Sequence, residues 1–181
     1  MTQAFANNGA AKVYIVGRRK EKLDEVAQKY RNVVPLVGDV TSKESLLQIA
    51  DQVEQETGYV NLVVCNSGVM PPPVGLDPAE VSLQEYRKKA LEQKTEDWVD
   101  GFATNATSIH FTTFAFLQLL DAGNKKGNCK GRMSQVIVTT SIAGFLRSAK
   151  NFGCYPASKV SDFQDMLTRR RLTCHRLLRL I

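Results

Sequence analysis

The residues best suited to chemistry are a tyrosine and a lysine one helical turn apart. Tyr155 and Lys159 bound the segment Tyr-Pro-Ala-Ser-Lys, and this spacing places two side chains on the same face of a helix. A phenol, whose ordinary pKa is about 10, is a poor acid–base catalyst near neutral pH. A nearby ammonium favours the phenolate. The pair therefore predicts a tyrosine that carries a proton, and the alternative is an ordinary surface pair.

Four apolar, β-branched runs predict the scaffold that positions this pair. They cover residues 12–17, 33–38, 61–66 and 135–141. Each run is almost continuously apolar, which is typical of parallel strands covered on both faces. Because segments of helical period separate the runs, we predict an α/β fold with a doubly wound parallel sheet and right-handed crossovers.

Three of the intervening segments are predicted as helices. They cover residues 19–30, 42–57 and 98–120, of which the last is the longest and most apolar. Thr41 or Ser42 is expected to cap the second. Five apolar side chains of the second are expected to face inward: Leu46, Leu47, Ile49, Ala50 and Val53.

Two segments are predicted as loops. Residues 70–75 contain three consecutive prolines, which exclude a helix or a central strand and indicate a rigid surface turn. Residues 121–133 are rich in glycine, lysine and asparagine, which predicts a polar surface connection before the fourth strand.

Polar or small residues follow all four predicted strands. In an open parallel sheet, ligands bind at the carboxyl ends of the strands, so the sequence predicts a ligand site at this edge. The residues there are Gly17-Arg18-Arg19, Gly38-Asp39-Val40, Cys65-Asn66-Ser67-Gly68 and Thr140-Ser141-Ile142.

Length, composition and charge indicate which classes of protein are expected and which are not. A chain of 181 residues with 43% apolar and 23% charged side chains suits one globular domain. We find no apolar run long enough for a membrane span and no secretory signal. The formal charge of +6 comes largely from five arginines within the last 13 residues, so a nucleic-acid surface on the domain is not expected.

The cysteines point to a reducing compartment. Cys65, Cys129, Cys154 and Cys174 are scattered, without the spacing of a metal site. We therefore expect thiols in a cytoplasmic protein, and no bound metal.

Together these motifs resemble the short-chain dehydrogenase/reductase family. Tyr155 and Lys159 match its Tyr-x-x-x-Lys motif, and Ser141 precedes Tyr155 by 14 residues, close to the family's usual separation. Asn105 matches the fourth catalytic position, and residues 65–68 resemble the Asn-Asn-Ala-Gly motif. The resemblance covers roughly residues 5–165.

The resemblance implies a role for each of these residues. Tyr155 would be the acid–base catalyst and Lys159 its partner, Ser141 would hydrogen-bond the substrate oxygen, and Asn105 would hold a water that links Lys159 to solvent. The alternatives are that Ser141 caps the following turn and that Asn105 is an ordinary polar helix residue. The cofactor would be bound by Arg18, Asp39, Val40, Asn66, Gly68, Tyr155 and Lys159, with Asp39 near the adenine ring.

The end of the first run indicates which cofactor is preferred. An NAD site typically places an acidic residue at the corresponding strand end to bind the ribose 2′-hydroxyl, whereas an NADP site places an arginine nearby. Here Gly17 is followed by Arg18, Arg19 and Lys20, with no acid before Glu21. Arg18 suits bidentate binding of a 2′-phosphate, so we predict NADP(H); the alternative is that these are solvated charges at a helix start.

Both ends of the sequence depart from the family pattern. The first strand, with its glycine-rich phosphate loop, is expected to be absent, and so are the last strands of a complete Rossmann-like sheet. We predict a partial NADP-binding Rossmann domain at residues 1–165 and an atypical basic tail at 166–181. A frame-shifted or mis-spliced end would explain the tail; a basic helix for an acidic partner or a membrane surface is the alternative.

Two functions follow from this interpretation. The first is an NADP(H)-dependent oxidoreductase that interconverts a small carbonyl and an alcohol, with homo-oligomers formed through the long helices. The alternative is a catalytically inactive relative that acts as a binding module or has no function. Nucleic-acid binding through the arginine-rich tail is the weakest hypothesis, and it predicts strongly salt-dependent retention.

Overall fold

The fold alternates helices and strands. It is seen in a computed structural model that describes residues 1–129, 131–146 and 153–161. The predicted basic tail at 166–181 lies outside the described residues. The strands are β1 (Val13–Gly17), β2 (Val33–Val37), β3 (Leu62–Cys65) and β4 (Gln135–Val138). The helices are α1 (Thr2–Asn7), α2 (Lys20–Ala27), α3 (Lys43–Thr57), α4 (Leu83–Leu91), α5 (Thr95–Phe102), α6 (Ser108–Ala115), α7 (Leu117–Lys126) and α8 (residues 155–161).

The described strands form two parallel pairs and not one continuous sheet. β1 pairs with β2 in a register that joins Val13 to Val33, and β3 pairs with β4 in a register that joins Leu62 to Gln135. All four predicted strands are confirmed, as is the parallel α/β class. The arrangement is an incomplete Rossmann fold, because no described strand bridges β1 and β3.

Pro35 marks β2 as an edge strand. Val13 donates to the carbonyl of Asn32, and Gly38 donates to the carbonyl of Gly17, so alternate residues of β1 face β2. Pro35 is paired with Ile15 in the register, and its nitrogen, which has no hydrogen, falls at the outer edge of β2. This position is one of the few that a sheet permits to proline.

A single apolar core connects the two strand pairs. Leu36 of β2, Val63 of β3 and Val136 of β4 are buried in it. From the helices come Ile49 and Val53 of α3 and Leu119 and Leu120 of α7. The core lies between the strands and the helices that follow them, as in a layered α/β domain.

Helix α3 agrees with the prediction except at one side chain. The hydroxyl of Ser42 accepts a hydrogen bond from the backbone N–H of Ser45, so Ser42 and not Thr41 is the cap. The predicted inward face is correct for Leu46, Ile49, Ala50 and Val53, but Leu47 is 55% exposed. At the opposite end, Gly58 adopts a φ of 77° and ends the helix.

The long helix predicted over residues 98–120 is longer and is interrupted twice. Helical structure runs from Thr95 to Lys126, with a π-helical turn at Ala103–Thr107 and a break at Phe116. The prediction of a polar connection from residue 121 was therefore wrong for residues 121–126. An ion pair of 2.6 Å between Asp121 and Lys125 supports this last helical turn, and Gly127, with a φ of 64°, ends it.

Helix α4 was not predicted from the sequence. It contributes no buried residue, and Leu83 and Leu91 are 79% and 69% exposed. Its start is fixed by Ser82, whose hydroxyl accepts from the N–H of Glu85 at 3.2 Å. The prolines of residues 71–73 lie outside helices and strands, as predicted.

None of the described helices is both long and apolar enough to cross a bilayer. Among the described cysteines, Cys65, Cys129 and Cys154, none is in a disulfide.

Candidate active site

Residues from four elements meet at the carboxyl ends of β3 and β4. Asn66 follows β3, and its carboxamide oxygen accepts from the hydroxyl of Thr139, which follows β4, at 3.1 Å. A backbone hydrogen bond from Thr139 to the carbonyl of Cys65 extends the ladder at the same place. The strand ends are therefore held together where a ligand site was predicted.

Asn105 joins the long helix to the loop after β3. Its side-chain oxygen accepts from the N–H of Val69 at 2.8 Å, and its side-chain nitrogen donates to the carbonyl of Val69 at 2.8 Å. The same nitrogen donates to the hydroxyl of Ser158 at 2.9 Å. Asn105 has 0% exposure and lies in the π-helical turn, a deviation that often occurs at functional sites.

Lys159 brings a cation to the same strand ends. Its side chain is buried, with 6% exposure of the residue, and its ammonium donates to the carbonyl of Thr139 at 3.1 Å. Burying a cation is unfavourable unless polar groups surround it. The Thr139 carbonyl is one of these polar groups.

Gly68 leaves the space that this arrangement requires. A Cβ at position 68 would lie 3.3 Å from the side-chain oxygen of Asn105 and 3.7 Å from the ammonium of Lys159. Gly68, Asn105 and Lys159 therefore form one cluster, in which a side chain at position 68 would be in tight contact with Asn105.

Tyr155 begins α8, one turn before Lys159, and its side chain is half-buried. Ser158, between them, donates to the carbonyl of Tyr155 at 2.8 Å and accepts from Asn105. The start of α8 is therefore tied directly to the π-helical turn.

Ser141 caps the short 3₁₀ turn Ile142–Gly144. Its hydroxyl oxygen accepts from the N–H of Ala143 at 3.2 Å, so the interpretation of Ser141 as a turn cap is realised. A hydroxyl that accepts one hydrogen bond still has its own proton to donate, and the catalytic hypothesis for Ser141 is therefore compatible with the cap.

Arg18, Asp39 and Val40 lie at the ends of the other strand pair. The Asp39 carboxylate accepts from the N–H and the hydroxyl of Thr41, at 2.9 and 2.7 Å. These hydrogen bonds hold the pKa of Asp39 below its ordinary value, and the positive charge of Arg18 lowers it further. Arg18 itself is exposed at the end of β1.

An open cleft separates the two groups of predicted site residues. It has a volume of about 610 Å³ and is lined on one side by β1 and Val40, and on the other by β3 and Asn66. The structure thus brings together Asn66, Gly68, Asn105 and Lys159, whereas Arg18, Asp39 and Val40 form a second group.

A nicotinamide dinucleotide fits these residues in part. The exposed Gly68, which has no side chain, lies near the Lys159 ammonium and suits the nicotinamide half. The Arg18 guanidinium suits a phosphate on the adenosine half. Among residues 1–129, 131–146 and 153–161, no glycine-rich turn leads from a strand into a helix of eight or more residues to receive the pyrophosphate.

Three residues of this site were missed in the sequence. Val69 and Thr139 act through backbone groups, which residue type does not reveal. Ser158 lies inside the Tyr-x-x-x-Lys segment, so its position next to two predicted catalytic residues was the available signal.

Comparisons with known proteins show what the chain is similar to. The sequence model of the short chain dehydrogenases matches residues 1–170. The short-chain dehydrogenase/reductase PhomF of Diaporthe leptostromiformis is 42% identical over 182 residues, which cover 95% of this chain and 61% of PhomF. The short-chain dehydrogenase/reductase SAT3 of Stachybotrys chartarum is 38% identical over 173 residues, which cover 88% of this chain and 64% of SAT3. The chain thus spans about three fifths of the length of these curated relatives.

Solved structures share the fold at lower identity. An NADPH-bound carbonyl reductase from chicken fatty liver superposes with a TM-score of 0.78 at 18% identity, covering 99% of this chain and 70% of the reductase. An alcohol dehydrogenase of the archaeon Thermococcus sibiricus, complexed with 5-hydroxy-NADP, gives a TM-score of 0.75 at 20% identity, covering 99% and 67%.

Proposed function

Because the chain belongs to the short-chain dehydrogenase/reductase family, we propose that it interconverts a small carbonyl compound and an alcohol with NADP(H), using Tyr155 to transfer the proton. The observation that carries this proposal is the buried Lys159 ammonium. It donates to Thr139 at the end of β4 and lies one helical turn after Tyr155.

Tyr155 moves the proton in this mechanism. When bound, the reduced nicotinamide supplies a hydride to the carbonyl carbon. The Tyr155 hydroxyl gives its proton to the carbonyl oxygen, and the resulting phenolate takes a proton from solvent. The Lys159 ammonium stabilises the phenolate between these two transfers. In the direction of alcohol oxidation the same groups act in reverse.

Ser141 and Asn105 assist this proton transfer in different ways. The Ser141 hydroxyl donates to the substrate oxygen while it caps the 3₁₀ turn. The Asn105 carboxamide is already bonded to Val69 and Ser158, so it acts as a positioning residue. Any water that links Lys159 to solvent would have to be held by another atom of this turn.

Arg18 supports the choice of NADP(H). An exposed guanidinium at the end of β1 suits the 2′-phosphate, and Asp39 and Val40 at the next strand end suit the adenine ring. The residues at the opposite strand pair, Asn66 and Gly68, suit the nicotinamide half.

Exposed apolar side chains support the proposed homo-oligomer through the long helices. Trp98, Val99 and Phe114 are 39%, 60% and 49% exposed on α5 and α6, and Val160 of α8 is 42% exposed. Light scattering would find a dimer or a larger assembly if these helices pair between copies, and a monomer at every concentration would contradict the proposal.

The second candidate function is a catalytically inactive relative that acts as a binding module. A titration of the 181-residue chain with NADPH and, in parallel, with NADH, followed by nucleotide fluorescence, separates the two candidates. We expect NADPH to bind with micromolar affinity and NADH at least about tenfold more weakly. No detectable binding of either nucleotide would favour the cofactor-free module. Oxidation of NADPH by a panel of aldehydes and ketones then tests the reaction itself.

A further inference from the structure

The proline loop (residues 70–75) packs against the chain just before Tyr155. Pro71 and Val74 of this loop are buried, whereas the two prolines between them are exposed. Pro71 lies against Gly101 of α5, which is also buried. Cys154, with 1% exposure, lies against the same glycine. The loop, α5 and the residue before Tyr155 therefore meet at one point.

Gly101 permits this close approach because it has no side chain. A Cβ at position 101 would lie 2.7 Å from Cγ of Pro71 and 3.1 Å from Sγ of Cys154. The first distance is far shorter than the separation of about 3.5–4.0 Å that nonbonded carbon atoms prefer. An alanine at this position would therefore displace Pro71, Cys154 or both.

Gln93, which lies between α4 and α5, makes a second contact to the same segment. Its side-chain nitrogen donates to the carbonyl of Pro72 at 2.9 Å. Both groups lie against Gly153, because a Cβ there would be 3.0 Å from this nitrogen and 3.3 Å from the carbonyl oxygen. Gly153 has a φ of 54°, which favours glycine. Gln93 thus holds the loop where it touches the chain two residues before Tyr155.

The first turn of α8 is held from two sides. The N–H of Ser158 donates to the carbonyl of Cys154 at 3.0 Å and closes this turn. The side chain of Asn105 holds the turn at Ser158, whereas the contacts of the proline loop hold it at its beginning. Because Tyr155 lies between these two supports, the position of its phenol depends on both of them.

We propose that Gln93 and Gly101 are positioning residues for Tyr155. They hold Gly153 and Cys154 against the proline loop, so that the Tyr155 hydroxyl has a fixed position when it transfers its proton. This inference rests on the proposed function, in which Tyr155 is the proton donor. A displacement of about 1 Å in a reacting group can lower a rate about 100-fold, so a small shift at the start of α8 is sufficient to affect turnover.

The first test measures amide exchange in Gln93→Ala, with Gln84→Ala on the exposed surface of α4 as the matched control. We expect exchange of the Ser158 amide to become about threefold faster or more in Gln93→Ala, because the first turn of α8 opens more often. The amide of Leu46, which closes the first turn of α3, should not change. Gln84→Ala should alter neither amide.

Two results of this measurement would overturn the proposal. Unchanged exchange at Ser158 in Gln93→Ala would show that the side chain does not fix the start of α8. Equal acceleration at Ser158 and Leu46 would show a general loss of stability. The measurement needs neither nucleotide nor turnover, so it decides the positioning of α8 even if the proposed enzymatic function fails.

The second test measures kinetics in the same two variants. We expect kcat for the oxidation of NADPH by a responsive carbonyl to fall about tenfold in Gln93→Ala. The KM for the carbonyl and the Kd for NADPH should stay nearly unchanged, and Gln84→Ala should match the wild type. A rise in KM with unchanged kcat would show an effect on binding and not on Tyr155, and it would overturn the proposal.

Gly101→Ala tests the other positioning residue, with Gly123→Ala as its control. A methyl group at position 123 would contact the carbonyl of Val60, at the opposite end of β3 from Lys159. We expect both variants to unfold at lower urea concentration, but only Gly101→Ala to lower kcat, by about tenfold or more. Equal kcat values in the two variants would overturn the proposed role of Gly101. If Gly101→Ala does not fold, the exchange and kinetics of Gln93→Ala decide the proposal.

Discussion

The side-chain nitrogen of Asn105 donates to the hydroxyl of Ser158 at 2.9 Å and so connects the π-helical turn to α8. Both residues have 0% exposure. Substituting Ser158→Ala would leave a buried donor without its partner, and we expect a loss of about 1–3 kcal/mol in the free energy of unfolding. Urea denaturation measures this loss.

Ser161→Ala is the matched control for this prediction. Ser161 lies on the same helix, but its hydroxyl donates to the carbonyl of Ala157, one turn earlier and at the surface. We expect this change to alter stability by no more than about 0.5 kcal/mol. If the two substitutions have equal effects, the bond to Asn105 is not a significant connection.

Tyr155→Phe tests the proposed proton transfer. The substitution keeps the ring and removes the hydroxyl, so we expect the rate of NADPH oxidation by a responsive carbonyl to fall about 100-fold or more. The Kd for NADPH should stay nearly unchanged. Tyr86→Phe on α4 is the control, and we expect it to be silent in both measurements. Retained turnover in Tyr155→Phe would remove this residue from the mechanism.

Arg18→Asp tests the cofactor preference. Replacing the guanidinium with a carboxylate removes the proposed contact to the 2′-phosphate and offers an acceptor to a ribose hydroxyl. We expect the ratio of NADPH to NADH affinity to fall by about tenfold or more. Arg87→Asp makes the same change in net charge on α4, which follows none of the strands directly. An equal drop in both variants would indicate a general charge effect.

Asp39 predicts a pH dependence of stability. Its pKa is lowered mainly by the hydrogen bonds from Thr41. A carboxyl whose folded pKa is depressed stabilises the fold above its unfolded pKa, about 3.9, and this contribution disappears as pH falls through the folded value. The stability difference between the wild type and Asp39→Asn should therefore be largest near neutral pH and should shrink below about pH 4. Denaturant unfolding at several pH values measures it, and a constant difference would contradict this account.

The four strands could be predicted because burial on both faces imposes a continuous apolar run. The run that contains Val63 and the run that contains Val136 are examples, since both residues are buried. The cap of α3 at Ser42 could also be predicted, because a cap depends on residues close together in the sequence. Such features depend on neighbouring residues, which the sequence shows directly.

Other features depend on polar or tertiary interactions that periodicity does not show. α4 contributes no buried residue, and only the Ser-x-x-Glu pattern of Ser82 and Glu85 indicated its start. The last turn of α7 was mistaken for a loop because its sequence is rich in glycine, lysine and asparagine. The grouping of Asn105 with Lys159 and Gly68 agreed with the motifs, but the bond from Asn105 to Ser158 joins residues distant in the sequence, so no local pattern indicated it. The catalytic and cofactor roles, like the cytoplasmic location, stay predictions.

The π-helical turn at Ala103–Thr107 changes the direction that side chains face between the first and the second part of the long helical stretch. One additional residue in a turn changes the angular phase of everything after it by about 100°. Asn105 can then face Val69 while Ile109, Leu119 and Leu120 remain buried. Deleting a single residue between positions 103 and 107 would restore a regular α-helix. Asn105 could then no longer face Val69 while the apolar residues after the turn remain buried. A change in length between positions 103 and 107 should therefore be poorly tolerated, although the segment has only five residues.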